Sequence, residues 1–315
     1  MAEPETVVAV DQETTGQGPA AVGGPKAQVT RSHTRRQANR HADASTKPLS
    51  RLICLVKGES CVSTSSSAPR VGLFVTCLVD NLRPNVGFAA LRLLEAAGCT
   101  VEVPKAQTCC GQPALNSGDN DTTRELAKRT IQSFEDYDFC VAPSGSCLGT
   151  IKHHYAELFH DDPAWARRHA AFAAKCHELL SFLHDVRGFR PTARYQGRVT
   201  YHHSCSGLRE LGVRGQAEAL VRSVDGVTLQ PLATPDICCG FGGTFCVKYP
   251  EISTSIADDK LADVAQTGAD TLLGGDLGCL VHLAGRLHRQ GSKVKVYHTA
   301  EVLAGMAEVP LGGGR

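Results

Sequence analysis

The sequence lacks long hydrophobic runs and lacks an excess of either charge. No stretch of its 315 residues reaches the roughly 18 consecutive apolar residues of a membrane-spanning helix. The N-terminus lacks the apolar core of a secretory signal. With 33 basic and 32 acidic residues, the formal net charge is +1, which gives no electrostatic reason to bind nucleic acid or an anionic membrane. We therefore expect a cytoplasmic protein with no membrane span and no nucleic-acid partner.

Several short motifs are also missing. There is no Cys-x-x-Cys pair, which zinc sites commonly use, and no ferredoxin-type Cys-x2-Cys-x2-Cys-x3-Cys run. The glycine-rich loop Gly240–Gly243 lacks the Gly-x-Gly-x-x-Gly spacing of a dinucleotide site. No flavin, nicotinamide or haem motif is visible. The chain alone therefore has no evident hydride acceptor.

Cysteine, in contrast, is abundant, with fourteen residues. In a chain of this length without a secretory signal, thiols are expected to stay reduced and to serve metal binding or catalysis. Two adjacent pairs, Cys109–Cys110 and Cys238–Cys239, support this interpretation. Consecutive Cα atoms lie only about 3.8 Å apart, closer than a disulfide prefers. The pattern favours metal binding.

Composition and repetition divide the chain into four parts. Residues 1–69 mix Pro, Gly, Ser, Thr, Gln and Arg without periodicity, and we predict a disordered extension. Cys54 and Cys61 lie in this extension and are not predicted to be ligands. We predict a first module over 70–190, a second over 191–305 and a flexible C-terminal tail over 306–315.

The two modules repeat the same order of elements. Each begins with an apolar strand that ends at a cysteine, Val71–Cys77 and Val199–Cys205. Each continues with an amphipathic helix, a strand, a Cys-Cys-Gly turn, a second helix, a strand and another cysteine. His177–Leu183 and His298–Leu303 are interpreted as equivalent closing segments. The prediction is an α/β fold of two tandem homologous modules, each a mostly parallel sheet flanked by helices.

Eight cysteines recur in register, and each follows a strand. Ligands of such sheets lie beyond the carboxyl ends of the strands, so we predict two four-thiolate metal sites. Their residues are Cys77, Cys109, Cys110 and Cys147 in the first module, and Cys205, Cys238, Cys239 and Cys279 in the second.

The donor type limits the metal. Four thiolates suit an iron–sulfur cluster or zinc, and do not suit magnesium or calcium. The absence of Cys-x-x-Cys pairs and the presence of Cys-Cys-Gly turns favour a polynuclear metal centre over a single zinc ion. Cys99, Cys140 and Cys176 have apolar neighbours and are interpreted as small buried hydrophobes. Cys246, in the glycine-rich loop, is a possible additional ligand.

The motifs resemble the lactate utilization protein A family of the wider CCG-domain group. The resemblance covers roughly Val71 to Leu303, and its motifs are Val71–Cys77, Ala106–Pro113, Ala142–Cys147, Cys238–Thr244 and Gly274–Cys279. That group includes the heterodisulfide reductase B subunit and the iron–sulfur subunit of glycolate oxidase. The resemblance implies that the eight cysteines are the cluster ligands.

It also implies a function. The chain would be an iron–sulfur electron-transfer subunit of a three-protein system that oxidises L-lactate, or a related 2-hydroxy acid, to pyruvate. It would act as a non-catalytic or co-catalytic subunit beside a ferredoxin-type iron–sulfur subunit and a third subunit. Each module would carry one cluster.

One departure from the wider group's pattern bears on the cluster type. That pattern closes with Cys-x-x-Cys and so supplies a fifth thiolate, whereas Thr150 and His282 stand at the matching positions here. We therefore favour four-cysteine [4Fe–4S] clusters, with His282 as a possible additional ligand. The alternatives are a non-redox protein in which zinc sites hold the two modules together and a thiol or heterodisulfide-type reductase.

The adjacent histidines His202 and His203 precede Cys205. We interpret them as exposed or capping side chains. The alternative is that they tune a cluster potential through hydrogen bonds.

Overall fold

The computed structural model describes residues 68–312. The predicted N-terminal extension lies outside the described residues except for its last two positions, and so do Cys54 and Cys61. Residues 306–312 follow the last helix, and the Leu311 amide donates a 2.8 Å hydrogen bond to the Val296 carbonyl. Among the helices of residues 68–312, none combines the length and the apolar character that crossing a membrane requires.

The first module alternates strands and helices in the predicted order. One π-helical segment, Thr150–His154, follows the helix Gly145–Gly149, and another, Phe182–Val186, follows the helix Leu179–Ser181. Its elements are β1 (Arg70–Leu73), α1 (Cys77–Leu82), α2 (Pro84–Ala96), β2 (Thr100–Glu102), α3 (Gln112–Leu115), α4 (Asn120–Phe134), β3 (Phe139–Ala142), α5 (Gly145–Gly149), α6 (Tyr155–Leu158), α7 (Pro163–Ala173), β4 (Cys176–Glu178) and α8 (Leu179–Ser181).

The second module repeats this order without a counterpart of α7. One long helix replaces the interrupted α5–α6 segment. Its elements are β5 (Arg194–His202), α9 (Cys205–Arg209), α10 (Gly215–Arg222), β6 (Asp225–Leu229), α11 (Phe245–Lys248), α12 (Pro250–Gln266), β7 (Thr271–Gly274), α13 (Leu277–Arg289), β8 (Lys295–His298) and α14 (Thr299–Leu303).

Local sequence explains where several of these helices begin. Pro84, Pro163 and Pro250 each open a helix, where the missing N–H of proline costs nothing. Asp119 caps α4, because its carboxylate accepts the Thr122 amide at 3.1 Å. Between these starts, apolar side chains recur at helical spacing and face the sheets.

Each module contains one four-stranded sheet, and all its strand pairs are parallel. The orders are β2-β1-β3-β4 and β6-β5-β7-β8. The structure thus confirms the predicted fold of two repeated α/β modules. Because all strands are parallel, the cysteine-bearing loops lie at the carboxyl end of each sheet, and strand order reverses there between β1 and β3 and between β5 and β7.

The register corrects one predicted equivalence. On β3 and β4, Ala142 is opposite Glu178, and on β7 and β8, Gly274 is opposite His298. Ala142 and Gly274 are equivalent, so His298 corresponds to Glu178 and not to His177. The two closing segments are therefore equivalent, but they align with a shift of one residue, which strand pairing shows and the sequence alone does not.

The modules pack against each other through equivalent elements. Helix α2 contacts α14, and helix α10 contacts α8 and the π-helical segment after it. One hydrophobic core includes Leu73 and Leu94 from the first module and Tyr201, Leu220 and Leu273 from the second. Each module therefore contributes the same helix pair to a shared core, as in an approximate two-fold arrangement.

Candidate metal centre

Two of the predicted cysteines are the first residues of helices. Cys77 opens α1 and Cys205 opens α9, shortly after the carboxyl ends of β1 and β5. Thr76 caps α1 by accepting the Val79 amide at 3.4 Å, and Ser204 caps α9 by accepting the Gly207 amide at 3.3 Å. Both sulfurs thus lie at a helix start, where unpaired N–H groups favour negative charge.

The cysteines that follow β3 and β7 have the same environment. Cys147 lies in the first turn of α5, and Cys279 lies in the first turn of α13. Their helices are capped by Ser144 and Asp276, which occupy equivalent positions three residues before each cysteine. The strand-then-helix connection therefore directs both sulfurs to the carboxyl edge of their sheets.

The Cys-Cys-Gly turns depend on glycine. Gly111 has φ of 84° and Gly240 has φ of 83°, a left-handed conformation that other residues rarely adopt. A Cβ atom on Gly240 would lie 2.4 Å from the Ser253 carbonyl oxygen. In the second turn, the backbone amides of Gly240 and Phe241 point at cysteine sulfurs, at 3.4 Å from Cys238 Sγ and 3.5 Å from Cys239 Sγ.

The structure brings the four predicted sulfurs of the first module together. Cys77 Sγ and Cys109 Sγ lie 3.8 Å apart, and the Cys110 thiol contacts both Cys109 and Cys147. We call this group the first nest.

The second nest has the same connectivity. Cys239 Sγ and Cys279 Sγ lie 2.9 Å apart, and Cys238 contacts both Cys205 and Cys239. The cysteines of both nests are free thiols. All eight line one cavity of about 210 Å³ between the modules, together with residues such as Gln112, Ser146 and Phe241.

The electrostatics of the nests are those of crowded thiols. Hydrogen bonds from the Cys110 and Cys77 thiols lower the pKa of Cys109 to about 2. Those from Cys205 and Cys239 lower the pKa of Cys238 to about 2. In each nest one sulfur is therefore the preferred thiolate.

The neighbouring sulfurs resist a second negative charge. Their hydrogen bonds to the preferred thiolate, together with burial and mutual repulsion, raise the pKa of Cys77 and of Cys239. Several thiolates coexist in so small a space only if a cation lies among them. The donor set of four soft sulfurs therefore fits an iron–sulfur cluster, or another thiophilic metal, in each nest.

Sequence reasoning misjudged the environment of His202 and His203. Both are buried, with His202 only 1% and His203 5% exposed, so the prediction of exposed or capping side chains is wrong. A ring nitrogen of His202 lies within 4.8 Å of both Cys239 Sγ and Cys279 Sγ. His203 instead points to the other face of β5, where its Nε2 lies 3.2 Å from Glu218 Oε1.

The two possible additional ligands are engaged elsewhere. The Cys246 thiol donates to the Gly243 carbonyl at 3.1 Å, and His282 Nε2 lies 3.2 Å from Ser253 Oγ. Neither residue lines the cavity that the eight cysteines share.

The three cysteines predicted to be small buried hydrophobes lie away from both nests. Cys99, Cys140 and Cys176 are buried in the hydrophobic cores. Cys140 and Cys176 face each other across β3 and β4, on the strands themselves and not in the loops beyond them.

Comparison with known proteins identifies the family. The family model described as a cysteine-rich domain, CCG, matches twice, over residues 71–152 and 199–284. A lactate utilization protein A from an Exiguobacterium species is 48% identical over 75% of this chain and 97% of its own length. The protein of the same name from Bacillus cytotoxicus is 47% identical over 74% of this chain and 98% of its own length.

Among solved structures, a hypothetical protein from Helicobacter pylori is 10% identical, with a TM-score of 0.48 over 77% of this chain and 51% of that one. That likeness is too remote to add to the argument. The two domain matches and the near full-length relatives agree with the geometry of the two nests. The chain belongs to the lactate utilization protein A family of CCG cysteine-rich domain proteins.

Proposed function

We propose that this chain is an iron–sulfur electron-transfer subunit of a multi-protein system that oxidises L-lactate, or a related 2-hydroxy acid, to pyruvate. Each nest would hold one [4Fe–4S] cluster through its four cysteines. The observation that carries the proposal is that eight cysteines, scattered over two hundred positions, form two equivalent four-sulfur nests around one cavity. The names of the relatives supply the substrate class.

The residues around each nest suit this role. A bound iron–sulfur cluster would supply one-electron redox chemistry. The chain itself would hold the cluster with four thiolates, and burial of Cys110, Cys147, Cys239 and Cys279 would exclude water from it. Backbone amides directed at Cys238 and Cys239 would stabilise negative charge on those sulfurs.

Electron relay fits better than catalysis by this chain alone. The sequence shows no motif for a flavin or nicotinamide that would accept a hydride from a 2-hydroxy acid. Electrons would therefore enter and leave through partners, with a ferredoxin-type iron–sulfur subunit and a third subunit as the expected ones. We propose the cytoplasm as the site of this assembly.

The test is metal analysis of protein purified without oxygen. We expect about eight iron atoms and about eight acid-labile sulfides per chain, and an electron paramagnetic resonance signal on reduction. Zinc without iron or sulfide would overturn the proposal in favour of a structural zinc protein. Disulfide-reducing activity in the metal-free protein would overturn it in favour of a thiol reductase.

A further inference from the structure

The two nests differ at a position whose side chain, in the second module, lies within 4.8 Å of two cysteine sulfurs. His202 ends β5 and lies opposite Gly274 of β7. The same place in the first module belongs to Phe74, which follows β1 and donates its amide to the Val141 carbonyl at 2.8 Å. Both residues precede the first cysteine of their nest by three positions. The repeat therefore has a hydrocarbon ring in one module and an imidazole in the other.

The two rings have different partners. Phe74 packs in the core that contains Cys110 and Cys147, with its ring 5.5 Å from that of Phe134. His202 is 1% exposed, and within residues 68–312 neither of its ring nitrogens has a hydrogen-bond partner. A buried imidazole without a partner is costly. One of its ring nitrogens lies within 4.8 Å of two sulfurs of the second nest, Cys239 Sγ and Cys279 Sγ.

A second difference between the modules lies farther from the sulfurs, on α12 and on its first-module equivalent α4. Lys260 on α12 is fully buried, and its ammonium donates to the carbonyls of Thr234 and Pro235 at 3.0 Å and 3.3 Å. The cysteine pair of the second nest is close enough to interact with it electrostatically. The equivalent residue of α4 is Thr130, which carries no charge.

Asp263, one helical turn after Lys260, offsets part of the field of Lys260. Its carboxylate is held by the amides of Ala233 and Thr234 and by the Thr234 hydroxyl, all within 2.9 Å. The Lys260 contribution is therefore smaller than that of an isolated cation. Asp276, whose first-module counterpart is the uncharged Ser144, acts on Cys279 in the opposite direction, but its carboxylate is stabilised by three hydrogen-bond donors. His202 has no hydrogen-bond partner within residues 68–312 and lies beside the sulfurs themselves.

We propose that His202 donates an N–H hydrogen bond to a sulfur of the second-module cluster, and that with Lys260 it gives this cluster a higher reduction potential than the first-module cluster. The inference rests on the proposed function, because it requires a cluster in each nest. Reduction adds one negative charge to a cluster, and hydrogen bonds to sulfur and nearby positive charge stabilise that charge. Within the chain, electrons would then run from the first module to the second.

A hydrogen bond is the better assignment for His202 than a bond to iron. Four cysteines already supply one ligand for each iron of a [4Fe–4S] cluster. The neutral imidazole still carries one N–H, so it can donate without being protonated.

The experiment is a redox titration of the anaerobic full-length chain, followed by electron paramagnetic resonance. Cys110→Ala and Cys239→Ala each leave one nest intact and so assign the two potentials. Starting from the wild type, His202→Phe installs the residue of the first module. We expect the higher potential to fall by at least the 59 mV that corresponds to tenfold in a one-electron equilibrium, while iron and sulfide content stay unchanged.

Three further variants sharpen the test. His202→Gln retains an N–H donor and should recover part of the shift, and Lys260→Met should lower the same potential by a smaller amount. His169→Phe removes another buried imidazole, which in the wild type bonds the Ile151 carbonyl at 2.8 Å, and should leave the second-module potential unchanged. If His202→Phe does not fold, the Lys260→Met and His202→Gln potentials decide the matter.

Specific outcomes would overturn the inference. They are an unchanged separation of the two potentials in His202→Phe, a shift confined to the first-module cluster, or strong nitrogen hyperfine coupling that shows His202 bound to iron. Each requires clusters to be present and leaves the proposed function standing. Absence of iron and sulfide from the wild-type chain would instead overturn both proposals.

Discussion

Ser144 and Asp276 occupy equivalent positions in the two modules and are bonded to each other. The Ser144 hydroxyl donates to Asp276 Oδ2 at 3.1 Å, and the two residues form an isolated antiparallel bridge. Each also caps the helix that carries the last cysteine of its nest. This hydrogen bond therefore joins equivalent positions of the two modules, and it links the helix that carries Cys147 to the helix that carries Cys279.

Asp276 makes three hydrogen bonds from a buried position, so its replacement should be costly. Its carboxylate accepts the Ser144 hydroxyl, the Ser146 amide at 2.9 Å and the Gly278 amide at 3.2 Å. Asp276→Ala leaves these donors unpaired, and we expect the free energy of unfolding to fall by roughly 2–4 kcal/mol. Asp276→Asn retains one accepting oxygen and should lose about half as much. Urea unfolding of the metal-free proteins measures both, and equal losses would contradict this account.

The nests should lose their clusters one at a time. Cys110→Ala and Cys239→Ala each remove a buried sulfur from one nest, so each should halve the iron and sulfide content and stop lactate-dependent growth. Cys140→Ala is the matched control, since it removes an equally buried sulfur from β3 and should leave the iron content intact. Unchanged visible absorbance in both nest variants would contradict the ligand assignment.

Much of the fold could be predicted because the chain repeats itself. Two matching orders of strand, helix and cysteine indicate two parallel sheets, and parallel sheets bring the residues that follow their strands to one edge. That reasoning placed Cys77 near Cys109 although 31 residues separate them. The shared cavity could not be predicted, because the amphipathic pattern of α2 shows that one face of the helix is buried but does not show that α14 packs against it.

The burial of His202 was missed for a different reason. Two adjacent histidines suggest exposure, because polar residues usually lie at the surface. The end of β5 is nevertheless buried: His202 lies beside Cys239 and Cys279, and His203 lies against Glu218 of α10. A signal was present in the repeat itself: Phe74 stands at the equivalent position, and a phenylalanine marks a buried site.

Gly240 should tolerate alanine far less well than Gly243 does. Both have positive φ, 83° and 63°, so both substitutions incur the roughly 1–2 kcal/mol strain of a left-handed residue. Only Gly240 also has a backbone atom in the way, the Ser253 carbonyl oxygen, whereas a Cβ on Gly243 meets nothing within 4 Å. We therefore expect Gly240→Ala to lower the unfolding midpoint more and to lose iron from the second nest. Equal midpoints and equal iron content in the two variants would show that the close approach is unimportant.

Glu178 should make the stability of the protein depend on pH. This carboxylate is buried, one of its oxygens accepts the Leu180 and Ser181 amides, and in the described chain the other has no partner. Burial raises the pKa of Glu178 from 4.5 to about 7. Between these values the folded protein binds more protons than the unfolded chain, so the free energy of unfolding falls as pH rises, by roughly 3 kcal/mol over the window.

His298, at the equivalent position of the second module, has the opposite effect. Burial lowers the pKa of His298 from 6.5 to about 4, so the folded protein binds fewer protons than the unfolded chain between these values and stability rises with pH there. The two effects overlap between about pH 4.5 and 6.5, so the wild-type curve alone would hide both of them. A difference between two proteins that share His298 isolates the contribution of Glu178.

Glu178→Gln provides that difference, because the amide keeps an accepting oxygen for the Leu180 and Ser181 amides and does not titrate. We expect the variant and the wild type to be equally stable near pH 4.5 and the variant to be the more stable protein by pH 7 and above. Urea unfolding across this range measures the divergence. Glu157→Gln removes an exposed carboxylate from α6 and serves as the matched control for the loss of one acidic group. If the free energy of unfolding depends on pH in the same way for Glu178→Gln and the wild type, the prediction is wrong. Glu178 would then be ionised throughout the range, and neighbouring groups rather than a bound proton would stabilise its buried charge.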